Sequence, residues 1–527
     1  MTSMTTSTRA SPAQPPTPRP GLRIEKDPLG WLEVPADAYH GVQTARAVVN
    51  FPISGRRGPH PAMIRGLLQV KKAAARANHA TGRLPDHLHD AIVRAADEAL
   101  ATGEAATPRT GELIGSFVVD PYGSGAGTSH NMNTNEVLAN RAIELLALDA
   151  GETPEQAATH RGDYRRVSPN DHVNMAQSTN DVIPTAMRVA TLDLVRDLLP
   201  ALDELIAALD AKAAEFDDVL KSGRTHMQDA VPIRLGQEFA AWALTLRRAR
   251  TNIGSAAESA KEQNIGATAV GTGLNAEPRY IELVIRYLSE QTGHELRTAE
   301  SLVQATQSMR PMVEVSAALR GLAVDLIKLS EDLRLLSSGP RTGFAEIALP
   351  AVQPGSSIMP GKVNPVMAET LSMVCFHVIG NDLGVAWAAS AGQLELNVMM
   401  PMIAYDTLES LQMLANMTRA FAQFCVSGIT VDRERCALLM EESSALATPL
   451  APYLGYALAA DISKEAVRTG KTIRQLVLEK GIFTAEELDQ ILAPRELTEP
   501  GVAGGFRFTP RMPEGYEPPT GPIGTGG

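Results

Sequence analysis

Apolar residues in the segment SMRPMVEVSAALRGLAVDLIKLSEDLRLLSSG recur at Met312, Val315, Leu319, Leu322, Leu326, Leu329, Leu333 and Leu336. Gaps of three and four draw one stripe along a single long helix. Gly339 and Pro340 end it. A similar stripe runs from Met187 to Leu220, where Pro200 predicts a kink or an end at Leu199. A third run, Gly236 to Lys261, carries Phe239, Trp242 and Leu246. A fourth, from about Pro401 to Val426, carries Ile403, Leu408, Leu411, Leu414 and Phe421. Helices of this length bury such stripes against each other, so the expected architecture is a mainly α-helical bundle. Stripes this long also predict association between chains.

Composition agrees with that pattern. Only 4% of the residues are aromatic while Ala and Leu abound, which favours helix over sheet. The chain of 527 residues is 44% apolar and 20% charged, enough for a large soluble core spread over several domains. The formal net charge of −12, with no dense Lys/Arg run, gives nucleic-acid binding no footing. The longest apolar runs fall short of a membrane span. Cys375, Cys425 and Cys436 have neither metal spacing nor the look of a disulfide framework, and fit a reducing, cytoplasmic setting as buried small residues. The opening MTSMTTSTRASPAQPPTPRPG lacks the apolar core of a secretory signal, and its prolines oppose an amphipathic helix. Residues 1–21 and 498–527 are expected to be disordered tails.

Between the helical runs lie four polar, glycine-bearing stretches: GSGAGTSHNMNTNE, NDHVNMAQSTND, GRTHMQDAVP and GSSIMPGKVNPVMAE. Each is dense in Ser, Thr, Asn or His beside few charges. One such residue is as well explained by helix capping as by function. Four such stretches flanking bundle helices favour a shared pocket. The last contains GSSIMPGKVNP, Gly355 to Pro365, which has the outline of a phosphate loop but not its geometry. Five residues separate its glycines rather than the required four, Val363 follows Lys362, and Pro360 has no N–H to offer. Two hydroxyls, one ammonium and one carboxamide remain, an inventory suited to an anion other than phosphate.

GSSIMPGKVNP resembles the signature loop of the aspartase/fumarase superfamily. GAGTSHNMNTNEVLAN, HVNMAQSTNDVIPTA, GRTHMQDAVPIRLGQEF, IGATAVGTGLN, LRLLSSGPRTGF, VIGND and AGQLELNVMMP match its other blocks in order, from about Leu22 to Leu497. GAGTS, QSTND and AGQLELNV are similar to the aspartase forms of these blocks, as are LEVPADAYHGVQTARAVVNFPIS and KKAAARAN near the start. The resemblance implies a lyase, an aspartate ammonia-lyase, that eliminates ammonia reversibly from L-aspartate to give fumarate. No cofactor is expected, and no metal site is apparent in the residues: the histidines form no HExxH, and carboxylates do not cluster near the polar loops. It implies a three-domain fold: an N-terminal domain over 22–178, a central five-helix bundle over 179–433 and a small C-terminal domain over 434–497. It further implies a homotetramer with a twenty-helix core, in which each active site for the dicarboxylate substrate draws on three subunits. TPRTGELIGSF and DAGETPEQAATHRG look longer than the usual family segments.

Removing a proton beside a carboxylate makes a dianion, and a crowd of preorganised donors is the natural tool for holding it. Each lost donor of this kind typically costs about 2.7–4 kcal/mol in the transition state. By resemblance, Thr128, Ser129, Ser178, Thr179 and Thr225 sit at that carboxylate, and Asn180 lies near the departing amino group. Lys362 and Asn364 hold the other carboxylate, Ser356 is the general base with Ser357 its loop neighbour, and His226 orients substrate. A serine base needs activation, which neighbouring backbone N–H groups and a cation can supply. Three alternatives stay open: a class II fumarase-type hydratase, a lyase for another substituted succinate, and a former lyase used as a structural protein.

Overall fold

Five long helices dominate the chain: Thr179–Glu215, Leu235–Ala257, Arg310–Leu336, Val366–Ser390 and Met400–Phe424. The computed structural model describes residues 15–517 and is mainly α-helical, with four two-stranded sheets among the described residues. The stripe Met312 to Leu336 lies on the helix Arg310–Leu336, and all eight of its residues are buried. Val366–Ser390 showed no stripe in sequence because it is apolar around most of its circumference.

The helix does not stop at Leu199, one of the two outcomes expected at Pro200, but runs on to Glu215. Pro200 is exposed, while Leu198, Ala201, Leu202 and Leu205 around it are fully buried. A helix-interior proline costs about 3 kcal/mol, and each fully buried leucine contributes roughly 1.5–3 kcal/mol. Packing on both sides therefore outweighs the single missing hydrogen bond.

The chain divides into two compact units. The first holds the described residues up to Leu199, Arg250–Ala323 and Cys375–Ala415. Its core joins the helix Pro61–Ala80 to the first half of Thr179–Glu215 and the helix Pro278–Thr292, through Leu67, Val70, Ile183, Met187, Val284 and Leu288. A second cluster packs the helices Asp86–Leu100 and Thr128–Asp149 around Leu88, Ile92, Leu138 and Ile143. The two longer segments each fold as a short helix behind a threonine capping box, Pro108–Ile114 after Thr107 and Pro154–Ala158 after Thr153.

The second unit holds Pro200–Ala249, Val324–Val374 and the described residues from Asn416. Phe216, Phe239 and Trp242 stack edge-on inside it, with centroids 5.4 and 4.8 Å apart. A cluster around Leu450, Tyr453, Ile462, Leu476, Phe483 and Leu488 forms its C-terminal part. The tail expected from residue 498 is structured as far as Glu517. Tyr453 donates its hydroxyl to Ala503 O at 2.7 Å and accepts from Phe506 N at 3.0 Å, and Arg511 N donates to Ile482 O at 2.9 Å. Polar tail residues are held here because an aromatic core beneath them offers both apolar contact and a hydrogen-bonding hydroxyl. Residues 1–14 and 518–527, the remainder of the expected tails, lie outside the described residues.

His40 in the first unit predicts an acid response. Burial, reinforced by the nearby Arg23, lowers its pKa from 6.5 to about 4, and its Nδ1 is buried without a partner. The unfolded chain binds this proton below 6.5 and the folded chain resists until about 4, so stability falls as pH drops through that window. The loss is up to about 3 kcal/mol. His40→Gln should flatten the dependence of urea midpoint on pH between these limits.

Candidate active site

In the first unit, Thr128 and Ser129 open the helix Thr128–Asp149. The loop before it is strained: Ser124 has φ 60°, Ala126 56° and Gly127 83°. Non-glycine residues in this region cost about 1–3 kcal/mol each and persist only where surrounding contacts hold them. Here Ala126 N donates to Val398 O at 2.8 Å, Ser129 N to Ser124 Oγ at 3.1 Å, and Tyr122 OH to Asp406 at 3.0 Å. A Cβ on Gly127 would sit 3.0 Å from Ile183, so glycine serves both the φ and the packing. Thr128 N donates to Gly125 O and Ser129 N to Ser124 Oγ, so the loop holds the first turn, and the exposed Thr128 and half-buried Ser129 hydroxyls stand at the positive end of the dipole.

Ser178 begins the bundle helix Thr179–Glu215. Its Oγ accepts from Asn180 N at 3.3 Å, and its own N–H donates to the Asp181 carboxylate at 2.9 Å, so the helix start is held from both sides. The other Asp181 oxygen accepts from Gly266 N at 3.0 Å and Thr268 N at 2.9 Å. Burial raises the Asp181 carboxyl to about 7, against the pull of these backbone donors. Beneath the turn, Lys71 is fully buried and donates to Asn174 Oδ1 at 2.8 Å and Gln177 Oε1 at 2.9 Å, and burial lowers its ammonium to about 7. Asn180 Nδ2 donates to Ala269 O at 2.7 Å, which fixes the amide and leaves Oδ1 as an acceptor. Asn131 joins the two helix starts, donating to Thr179 Oγ1 at 3.4 Å and to Asn174 Oδ1 at 3.2 Å. Thr128, Ser129, Ser178, Thr179 and Asn180 therefore belong to one neighbourhood of the first unit.

Thr225, His226, Ser356, Lys362 and Asn364 belong to the second unit. Strands Leu220–Thr225 and Gln228–Arg234 pair antiparallel, with Thr225 opposite Gln228. Only His226 (φ 54°) and Met227 (φ 62°) connect them. Two left-handed residues in a two-residue hairpin are a type I′ turn, normally made by Asn-Gly. Exposed His and Met in that conformation carry a backbone cost that Asn-Gly would avoid.

The loop Gly355 to Asn364 curls on itself. Ser356 Oγ accepts from Ile358 N at 3.2 Å and Met359 N at 2.9 Å. Gly355 N donates to Lys362 O at 2.9 Å, and Asn364 Nδ2 to Gly355 O at 2.6 Å. A Cβ on Gly355 would come within 2.3 Å of Lys362 O, so only glycine closes the loop. Gly361 supplies the second turn at φ 79°. Lys362 is exposed, and its ammonium has no partner among the described residues. A recess of about 410 Å3 is lined by Gly355, Ser356, Met359, Gly361, Lys362 and Val363. Two backbone N–H groups aimed at a hydroxyl oxygen, beside a free cation, form an arrangement that favours its ionised form. Among the described residues no group of three or more His, Cys, Asp or Glu is placed to hold a metal.

Sequence reasoning assigned no role to Lys71, Asn131, Asp181 or Asn174. Lys71 had a signal: it falls within the apolar run Ile64, Leu67, Leu68, Val70, Ala73 and Ala74, where a lysine is out of place.

Residues 30–380 match the lyase family, and residues 446–499 match the fumarase C C-terminus family. The aspartate ammonia-lyase of Bacillus subtilis is 48% identical over 482 residues, 92% of this chain and 97% of the relative. That of Escherichia coli K12 is 46% identical over 480 residues, 91% of this chain and 96% of the relative. The crystal structure of fumarate lyase:delta crystallin from Brucella melitensis bound to cobalt superposes with a TM-score of 0.83 at 48% identity, covering 91% of this chain and all of that one. The class II fumarase of Schistosoma mansoni gives 0.82 at 37% identity, covering 91% of this chain and 99% of that one. With its helical fold, its polar loops and a likeness of this extent, the chain belongs to the aspartase/fumarase superfamily of lyases, on its aspartate ammonia-lyase side.

Proposed function

We propose that this protein eliminates ammonia reversibly from L-aspartate, giving fumarate, by way of an aci-carboxylate intermediate. The observation that carries the reading is the adjacency of two helix N-termini lined by neutral donors, Thr128–Ser129 and Ser178–Thr179, bridged by Asn131. Each N-terminus supplies roughly half a positive charge. Such a pocket gains more from a carboxylate that becomes a dianion than from one that does not, which is the differential binding that catalysis needs.

Ser356 Oγ takes the Cβ proton, and the C–H electron pair moves into the adjacent carboxylate, now doubly charged. Thr128, Ser129, Ser178, Thr179 and Thr225 hold those oxygens. The pair then returns to form the C=C bond as the C–N bond breaks, and its electrons leave on ammonia. Asn180 accepts a hydrogen bond from the substrate ammonium through Oδ1, its Nδ2 being committed to Ala269. Lys362 and Asn364 hold the second carboxylate, and His226 orients the substrate. The test follows absorbance in the fumarate band: it should rise with L-aspartate and stay flat with L-malate. A rise with malate alone would make the protein a hydratase instead.

The proposed assembly is a homotetramer in which each site takes groups from three subunits. Met373, Phe376, Leu383 and Trp387 support it. They are 60%, 58%, 62% and 71% exposed at spacings of three, seven and four along Val366–Ser390, an apolar stripe that a second copy would cover. Cys375, Cys425 and Cys436 are buried and free, in keeping with a cytoplasmic enzyme.

A further inference from the structure

Glu346 carries a carboxylate with no exposure at all. Arg224 meets it with both prongs of its guanidinium, Nη1 to Oε2 and Nη2 to Oε1, each at 2.9 Å. Lys221 adds a second cation at 3.4 Å, shared with Glu238 at 3.2 Å. The Arg224 guanidinium also lies 4.1 Å over the Phe344 ring. On its backbone, Glu346 donates to Leu336 O and accepts from Asp432 N, each at 2.9 Å. One residue on, Ile347–Ala348 pairs with Thr430–Val431 and fixes the chain that leads to the loop at Gly355. A buried carboxylate must be paired, but a bidentate fork placed here does more than neutralise it.

Arg224 immediately precedes Thr225 and the strained turn at His226 and Met227. The side chains of Thr225, His226, Met227 and Gln228 make no hydrogen bond among the described residues. Arg224 is therefore the last anchored side chain before the tip. A bulge at Gly223, where the register shifts between Ser222 and Arg224, sets how Arg224 is aimed. A Cβ on Gly223 would lie 2.5 Å from Val231 O.

We propose that the Arg224–Glu346 pair is a positioning device. It clamps the base of the hairpin so that Thr225 and His226 meet the substrate in one fixed geometry, and it ties that geometry to the segment entering the signature loop. This rests on the site reading above. Neither residue touches substrate.

The test uses the full chain. Arg224→Lys keeps the charge and loses the fork. Its kcat/KM for aspartate should fall about tenfold or more, with KM and kcat both moving, because small misplacements of a positioning group cost that much. Its thermal midpoint should stay near that of the parent, while amide exchange quickens across residues 223–230. Arg224→Ala should lose about 100-fold. Millimolar guanidinium should restore part of that loss, since Arg224 lines a cavity of about 510 Å3 that admits the ion. No recovery counts against the proposal. If Arg224→Ala does not fold, Arg224→Lys decides alone. A folded Arg224→Lys with kcat/KM within about twofold of the parent and unaltered hairpin exchange overturns the proposal, since a purely stabilising pair moves neither. If the parent itself makes no fumarate from aspartate, the functional reading fails. The exchange measurement still decides positioning: faster exchange confined to the hairpin supports it, and unchanged exchange refutes it.

Discussion

Ser356→Ala should lower kcat for fumarate formation by about 100- to 10,000-fold, the range that positioned acid–base groups supply. KM should change little, because the groups proposed to bind the two carboxylates remain. The substitution removes one oxygen from a half-buried loop position and frees the N–H groups of Ile358 and Met359 to solvent. Each such partner carries only about 0.5–1.5 kcal/mol net, so the thermal midpoint should barely move. That separation is the point of the experiment: activity collapses in a protein that remains folded. Steady-state turnover with L-aspartate, read beside a melting curve, is the measurement. Near-parent kcat would remove Ser356 from the chemistry and leave its two backbone donors as an ordinary serine turn. Hydrogen exchange in residues 354–364 extends the test. If the loop closes over substrate, its amides become protected when fumarate or a dicarboxylate inhibitor is added.

Lys362→Met should raise KM for aspartate and weaken fumarate as a product inhibitor, each by about 30- to 1,000-fold. The range follows from about 2–4 kcal/mol for a charged hydrogen bond lost in a closed site. Lys362 is an exposed, unpaired cation on the loop, and its removal leaves no buried charge behind, so stability should be untouched. Arg should rescue poorly, since a planar fork does not replace a compact ammonium on a shorter reach. If product inhibition is unchanged in Lys362→Met, the second carboxylate is held elsewhere. Ser356→Ala and Lys362→Met together separate the base from the binder: the first moves kcat and the second moves KM.

Much of the architecture could be read from residue spacing. The stripe from Met312 to Leu336 placed one bundle helix within two residues of its observed start at Arg310 and at its observed end. Phe239, Trp242 and Leu246 marked another, and all three are buried. Val366–Ser390 escaped because a helix apolar on nearly every face has no periodic contrast to detect. Pro200 does not end its helix, because the buried leucines on either side outweigh the local backbone cost. The C-terminal segment misled: prolines and glycines signalled disorder, whereas Tyr453 supplied an anchor that no local pattern encodes.

The site divides along the same line. The short polar side chains proposed to meet the substrate, at Thr128, Ser178, Thr225 and Ser356, stood out because their stretches contrast with the helical background and resemble known blocks. Their supports did not. Lys71 under the Ser178 turn lies more than a hundred residues before it, and Glu346 behind the hairpin lies as far after Arg224. Neither separation leaves a periodic trace.

The amino-acid sequence by itself determined the helical periodicity, the glycines that close the signature loop, and which side chains can donate to or accept from a dicarboxylate. Those are properties of single residues and of their spacing within a few turns. Only the tertiary structure decided that Asn131 bridges two helix starts, that Asp181 is shared by three backbone N–H groups, and that Arg224 is gripped by a carboxylate with no access to water. Such contacts depend on which distant segments burial brings together, and burial is a property of the folded whole.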